Sequence, residues 1–213
     1  CRGELLGLVP KLNLPNYTEF YEGRWFTSGR ALLGSDFCIP FAGQENVEFS
    51  PGLIFRCADL PQLCIGVEIC EDLWVADTPS TSLAQGGATL ILNPSASDET
   101  VCKDDYRRTL LSATSGRLVC GYVYADAGWG ESSTDLIYAG HSLIAENGTI
   151  LAQRRFETGL TVTELDLEKL CHERQRMSTF PADAPDLFPQ YFLLNVEETK
   201  LTRPVAKNPF VPA

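Results

Sequence analysis

Cys70 closes the run Leu63-Cys64-Ile65-Gly66-Val67-Glu68-Ile69-Cys70, and Glu71-Asp72-Leu73-Trp74 follow at once. An apolar run that breaks into acids directly after a cysteine is the pattern of a core strand that ends and presents a nucleophile on the next turn. A thiolate adds readily to a carbonyl carbon, and the thioester it forms is easily hydrolysed. That chemistry needs a group to take the thiol proton and donors to hold the developing oxyanion, so the sulfur must stand on a sharp turn beside backbone N–H groups. Lys11, far upstream after Leu5-Leu6-Gly7-Leu8-Val9-Pro10, is a second candidate part of such a site. On spacing alone the commoner cases are a buried structural thiol for Cys70 and a solvated strand-end lysine for Lys11.

The elements that must position these residues come from 213 residues, enough for one sizeable core and marginal for two domains. Apolar content is 44% and charged content 21%, ordinary for a soluble globular protein. No apolar run approaches the ~20 residues that cross a bilayer. A net charge of −11 argues against a nucleic-acid partner, which needs clustered Lys and Arg. The eight cysteines form no C-x-x-C pair, and His141 and His172 flank none of them at ligand spacing, so no metal is expected. Cys64 and Cys120 lie in apolar, strand-like runs, which points to reduced thiols in a cytoplasmic protein. The first residues carry neither a methionine nor a signal-peptide pattern. The expectation is a fragment whose natural beginning lies upstream.

Period-two and β-branched patterns predict strands at Glu4–Val9, Leu53–Cys57, Leu63–Ile69, Ala88–Asn93, Leu118–Tyr124 and Leu160–Leu165. Pro79–Gly87 reads as a short helix, Asp104–Leu118 as a longer one, and Asp166–Met177 as a third with Asp166 as its cap. Ser142–Ala152 reads as a hairpin around Asn147-Gly148, residues that accept the positive φ of a type I′ turn. Residues 34–52 suggest short connecting strands, and Glu19–Phe26 a helical turn or ordered loop. Alternation of strand and helix with an inserted hairpin means an α/β chain with a mixed sheet. Beyond Thr179 the periodicity is lost and proline is frequent, so the segment reads as an extended tail.

Gly66-Val67-Glu68-Ile69-Cys70-Glu71-Asp72-Leu73-Trp74 resembles the nucleophile segment of the nitrilase (carbon–nitrogen hydrolase) superfamily. More narrowly, it resembles the glutaminase domains of glutamine-dependent NAD synthetases. Val9-Pro10-Lys11-Leu12-Asn13-Leu14-Pro15-Asn16-Tyr17, Asn93-Pro94-Ser95-Ala96-Ser97, the stretch Tyr122–Leu136 and Gly140-His141-Ser142-Leu143 match in the same order. The resemblance implies a four-layer α-β-β-α sandwich, incomplete at the N-terminus. It divides the chain into the C-terminal portion of a glutaminase domain (residues 1–178) and an extended tail or linker (residues 179–213).

By the same resemblance Cys70 is the nucleophile and Lys11 the lysine of a Glu–Lys–Cys triad, with Lys11 and the Glu71 N–H steadying the oxyanion. The triad glutamate lies upstream of the lysine in the family. Glu4 is too close to Lys11 to fill that place, and Glu68 and Asp72 are not substitutes for it. These 213 residues alone are therefore expected to show little or no turnover. Tyr17, Phe20 and Glu22 match residues lining the pocket beside the lysine. Glu71 and Ser97 match positions that bind the α-amino end of glutamine. Lys103 falls where relatives carry an arginine for the α-carboxylate, and a lysine there is a point charge rather than a bidentate fork. Read without the resemblance, Glu71 is a surface acid, Tyr17 a packed aromatic, and the two histidines ordinary polar residues.

The partners implied are L-glutamine and the protein's own synthetase domain, within a homo-oligomer. No cofactor is implied for this segment; ATP and Mg belong to the synthetase domain, which amidates nicotinic acid adenine dinucleotide. No Ser-Gly-Gly-x-Asp motif of that domain occurs here, and Lys207–Pro212 resembles the linker ahead of it. Two other readings stand beside this one: a stand-alone nitrilase-type amidase, and a non-catalytic assembly module of the same fold.

Overall fold

The computed structural model describes residues 1–213 except 36, 129, 132–134, 182–186, 197–198 and 206–213. Most of the Trp129–Thr134 loop and the linker-like stretch 207–212 thus fall outside the described residues. Two strands, β1 (Phe37–Phe41) and β2 (Gln44–Phe49), pair as an antiparallel hairpin. Then come β3 (Leu53–Cys57), β4 (Cys64–Val67), helix α1 (Pro79–Gln85), β5 (Leu90–Ser95), helix α2 (Lys103–Leu118) and β6 (Gly121–Asp126). The chain continues through β7 (Ser142–Glu146), β8 (Thr149–Arg154), helix α3 (Leu167–Arg176) and β9 (Phe188–Phe192).

The seven later strands form one mixed sheet in the order β8-β7-β6-β5-β4-β3-β9. Its centre, β4-β5-β6, is parallel, and the crossovers run through α1 and α2. β7 and β8 add antiparallel as the expected hairpin, with Asn147 at φ 44° and Gly148 at φ 88°. Two adjacent positive φ values define the type I′ turn that Asn-Gly favours. Along α2 the buried positions are Arg107, Leu111, Thr114, Ser115 and Leu118, a helical stripe facing the sheet. With Leu83 of α1 it covers Ile91, Tyr122 and Leu143, all fully buried. The fold is therefore α/β, as the alternation of strand and helix implies. Among the described residues it is one large sheet with its helices and a separate hairpin.

Three local expectations differ from the structure. Glu4–Val9 makes a single bridge, Leu8 to Phe49, in place of a strand, with Leu8 N–H on Glu48 O and Ser50 N–H on Leu8 O. Pro10 has no N–H to extend that ladder. Leu160–Leu165 is not a strand: Leu160 and Val162 are exposed, and the segment leaves the sheet edge after β8 to reach α3. β-Propensity needs a neighbour to pair with, and none of the described residues forms a ladder with this segment. Conversely, the proline-rich stretch after 179 contains β9, parallel to β3. β9 ends the sheet, where Pro189 is tolerated because one side of an edge strand makes no ladder bonds.

Arg174 of α3 ties the helices together. Its Nε donates to Val119 O (2.9 Å), and Nη2 donates to Leu118 O (3.0 Å) and Ala88 O (2.7 Å). A longer bond of 3.4 Å reaches Ala84 O. These are carbonyls at the C-terminal ends of α1 and α2, where helix dipoles favour a cation and carbonyls lack intrahelical partners. Arg174→Met is expected to cost about 3 kcal/mol in urea unfolding, because several charge-assisted bonds are lost at once. Arg174→Lys is expected to recover little of it, since one ammonium cannot span carbonyls from two helices.

Candidate active site

β4 ends at Val67, and two residues later the chain turns sharply into a 3-10 helix, Cys70–Leu73. Cys70 takes φ 50°, a left-handed conformation that costs a residue with a Cβ about 1–2 kcal/mol. Hydrogen bonds from β5 hold it there. Cys70 N–H donates to Asn93 Oδ1 (2.8 Å), and Asn93 Nδ2 donates to Cys70 O (3.5 Å) and Tyr122 Oη (3.0 Å). The Tyr122 hydroxyl in turn donates to Glu68 Oε1, while Glu68 Oε2 accepts from Ser80 N–H (2.8 Å). Burial pushes the Glu68 carboxyl up from its ordinary range, against the lowering by these donors. Its oxygens are both engaged in bracing the turn. Neither Glu68 nor Tyr122 carries any signal for this in its local sequence.

The acid after the cysteine, Asp72, joins this turn to the Lys11 segment. Its Oδ2 accepts from Ile69 N–H (2.9 Å), and its Oδ1 accepts from Asn13 N–H and Asn13 Nδ2 (both 2.8 Å). Asn13 lies two residues from Lys11 and Asp72 two from Cys70, so the two candidate catalytic residues flank one hydrogen-bonded contact. Gly29 backs the Lys11 segment: its N–H donates to Lys11 O (2.8 Å), and a Cβ there would stand 2.8 Å from Pro10 Cβ. Only glycine permits that approach. The Lys11 ammonium sits on both oxygens of Glu22, at 2.7 and 2.6 Å.

A cavity of about 280 Å³ opens over the turn. Cys70, Glu71, Tyr17, Phe20, Ser97 and Lys103 line it, together with Glu19 and Trp74. Six of the eight residues singled out from the sequence therefore share one space. Lys11 and Glu22 are not part of its lining. Lys11 is near enough for its charge to act on Glu71. The volume lies at the small end of the ~300–1,000 Å³ of ligand pockets and suits a molecule of amino-acid size. Larger cavities, about 310 Å³ beside Arg108 and Gln153 and about 940 Å³ beside Leu60 and Leu165, hold none of these residues. We place the site by its chemistry, at the thiol.

The lining carries both an acid and a base. Tyr17 Oη donates to Glu71 Oε1 (2.8 Å). Burial raises both groups' pKa values, and the Glu71 carboxylate adds to the rise at Tyr17. Lys103 forms an ion pair with Asp98 and lies over the rings of Phe20 (5.5 Å) and Trp74 (5.4 Å). The Glu71 N–H belongs to the first turn of its helix, whose donors have no intrahelical acceptor. A carboxylate, an ammonium and a thiol around one small cavity can seat a zwitterion and attack a carbonyl carbon on it.

Asp126, at the end of β6, supports the Ser97 side of the cavity. Its Oδ1 accepts from Ser97 N–H (2.8 Å) and Ala127 N–H (3.0 Å), and its buried Oδ2 has no partner among the described residues. Burial raises its pKa to about 6. Below the unfolded value of about 3.9 both states are protonated and the cost of burying the charge is absent. That cost develops as pH rises and is complete above 6. Asp126→Asn keeps the acceptor for Ser97 and removes the charge. It should therefore gain about 3 kcal/mol relative to wild type between pH 4 and pH 8, read by denaturant unfolding at the two pH values.

Residues 3–174 match the family model for carbon-nitrogen hydrolases. The chain belongs to the carbon–nitrogen hydrolase family. It is 44% identical over 182 residues to a glutamine-dependent NAD(+) synthetase of Mycobacterium tuberculosis, covering 84% of this chain and 26% of that protein. It is 30% identical over 187 residues to the Homo sapiens enzyme of the same name, covering 83% of this chain and 26% of that protein. A crystal structure of a glutamine-dependent NAD(+) synthetase from Cytophaga hutchinsonii superposes with a TM-score of 0.56 at 31% identity. That match covers 69% of this chain and 22% of the other. The chain thus spans about a quarter of the length of the curated relatives it matches. No helix among the described residues is long and apolar enough to cross a membrane, and all eight cysteines are free.

Proposed function

We propose that this family member contributes the thiol, the lysine and the amino-acid pocket of a glutaminase. Its ammonia would serve an ATP- and Mg-dependent synthetase domain that amidates nicotinic acid adenine dinucleotide to NAD. The observation that carries this reading is the small cavity that Cys70 on its strained turn shares with the Tyr17–Glu71 pair, Ser97 and Lys103. The names of its relatives supply the substrate class, and the free thiols suit a reducing, cytoplasmic compartment.

In this scheme Glu71 and Ser97 take the α-ammonium of glutamine and Lys103 its α-carboxylate, with Tyr17 and Phe20 walling the aliphatic chain. Lys103 must share itself between Asp98 and the substrate. The Cys70 sulfur adds to the side-chain amide carbon, forming the S–C bond, and Lys11 with the Glu71 N–H steadies the oxyanion. The C–N bond then breaks and ammonia leaves with a proton. Water adds to the thioester carbon and the S–C bond breaks, giving glutamate and the free thiol. The family glutamate that relays these protons has no counterpart among these residues by resemblance. Glu68 and Asp72 are already held by the turn they brace, so no proton step is assigned to either.

A diazo-ketone analogue of glutamine tests the reading in the full-length protein. Labelling of Cys70 with matching loss of ammonia release from glutamine supports it. Labelling by a simple aliphatic amide reagent with none by the analogue would make this an amidase of another substrate. No labelling by either would make it an assembly module.

A further inference from the structure

Arg107 of α2 is completely buried, and among the described residues it is the largest side chain to be so. A buried guanidinium needs its donors filled and its charge answered. Arg107 fills the donors of both terminal nitrogens by gripping three consecutive residues, while its buried Nε has no partner among the described residues. Nη2 donates to Ser97 Oγ (3.2 Å) and Asp98 O (3.1 Å), and Nη1 donates to Glu99 Oε2 (3.2 Å). Nη1 also donates to His141 Nδ1 (2.9 Å). A ring nitrogen that faces a guanidinium accepts, so the His141 proton is placed on Nε2. Burial and the Arg107 charge both disfavour a second proton on that ring.

The other partners of this loop also lie outside it. Asp126 takes the Ser97 N–H, Lys103 pairs with the Asp98 carboxylate, and Arg155 Nη2 pairs with Glu99 (2.9 Å). Ser97 and Lys103, one turn of α2 before Arg107, both line the cavity over Cys70. The fork of Arg107 thus spans the joint between the two groups that would meet a substrate's polar head. It also fills one lone pair of Ser97 Oγ, which leaves that hydroxyl one proton and one lone pair for what enters the cavity.

We propose that Arg107 is a positioning residue for amino-acid selectivity: by holding residues 97–99 it sets Ser97 and Lys103 at the spacing of an α-amino-acid head group. The role rests on the glutaminase reading above. Arg107 touches neither the sulfur nor its turn, so it governs recognition of the head group and not the reactivity of the thiol.

The test uses the full-length protein and two reagents for Cys70, the diazo-ketone glutamine analogue and iodoacetamide, which has no head group. Arg107→Lys keeps a charge and one donor but not the fork. In that variant the KM for glutamine is expected to rise about 10- to 100-fold with kcat within about threefold, since a misplacement of ~1 Å is worth up to about 100-fold. The labelling rate by the analogue should fall by a similar factor while the iodoacetamide rate is unchanged. In a Ser97→Ala background, Arg107→Lys should have little further effect on KM. Equal falls with both reagents, a kcat loss at constant KM, or full additivity with Ser97→Ala would each overturn the role. Arg107→Met serves as a second variant, and if it does not fold the Lys series decides alone. Labelling of wild type with an unchanged ratio in the variants counts against Arg107 only. Failure of the analogue to label wild type removes the glutaminase reading and the Arg107 role with it.

Discussion

Cys70→Ala should abolish glutamine hydrolysis by the full-length protein, by about 10⁴-fold or more, leaving its stability nearly unchanged. The two halves of this expectation have separate causes. The catalytic half follows from the chemistry: without the sulfur there is no thioester route, and a loss of that size corresponds to about 5.5 kcal/mol of barrier. The stability half follows from how the turn is held. Asn93 grips the backbone N–H and carbonyl of residue 70, and Asp72 grips the N–H of Ile69. Neither uses the thiol. Alanine meets the same left-handed strain at φ 50° that cysteine does. Ammonia release and the unfolding midpoint, measured on the same preparation, check both halves. If the variant keeps hydrolysis within tenfold of wild type, Cys70 is not the nucleophile. If free ammonia is supplied in place of glutamine, synthesis by the proposed partner domain should run at its normal rate.

Lys11→Met should lower kcat by about 10²- to 10³-fold and leave KM within a few-fold. An ammonium that answers charge appearing only on the oxyanion stabilises the transition state more than the bound amide, so its removal acts on kcat. The side effect on folding should be small. Lys11 pairs with Glu22, whose side chain keeps 28% of its exposure, so water can solvate the orphaned carboxylate. Ion pairs that water still reaches are worth about 1 kcal/mol or less. Lys11→Arg would keep the pairing with Glu22 but move the charge, and it should not restore kcat. A rise in KM at constant kcat would show that Lys11 only binds substrate and would remove it from the oxyanion.

The pattern around Cys70 was legible because strand, turn and acids are all local to it. The same holds for the Asn147-Gly148 hairpin and for Asp166, whose side chain accepts from Lys169 N–H at 2.9 Å to cap α3. The resemblance of several motifs in order picked out Tyr17, Phe20, Glu71, Ser97 and Lys103, and the fold brings these to one cavity. Asn93 lay in a motif noted from the sequence with no role attached. Its task is to hold Cys70, a residue 23 positions away, and no local pattern encodes that. Arg107 drew no role from the sequence, and its burial was hidden because an arginine in a helix is ordinarily at the surface. β9 escaped because Pro189 breaks the strand pattern, and the strand exists only through its pairing with β3.

Apart from the pocket residues, which came by resemblance, the sequence by itself determined the α/β class and the turn at Cys70. These depend on side-chain periodicity and on neighbours a few positions apart. Only the tertiary structure decided that Lys11 pairs with Glu22, that Asp72 binds Asn13 across 59 residues, and that Arg107 spans Ser97 to Glu99. Buried polar groups must find partners once water is excluded. Which partners they find depends on where the chain has folded each of them.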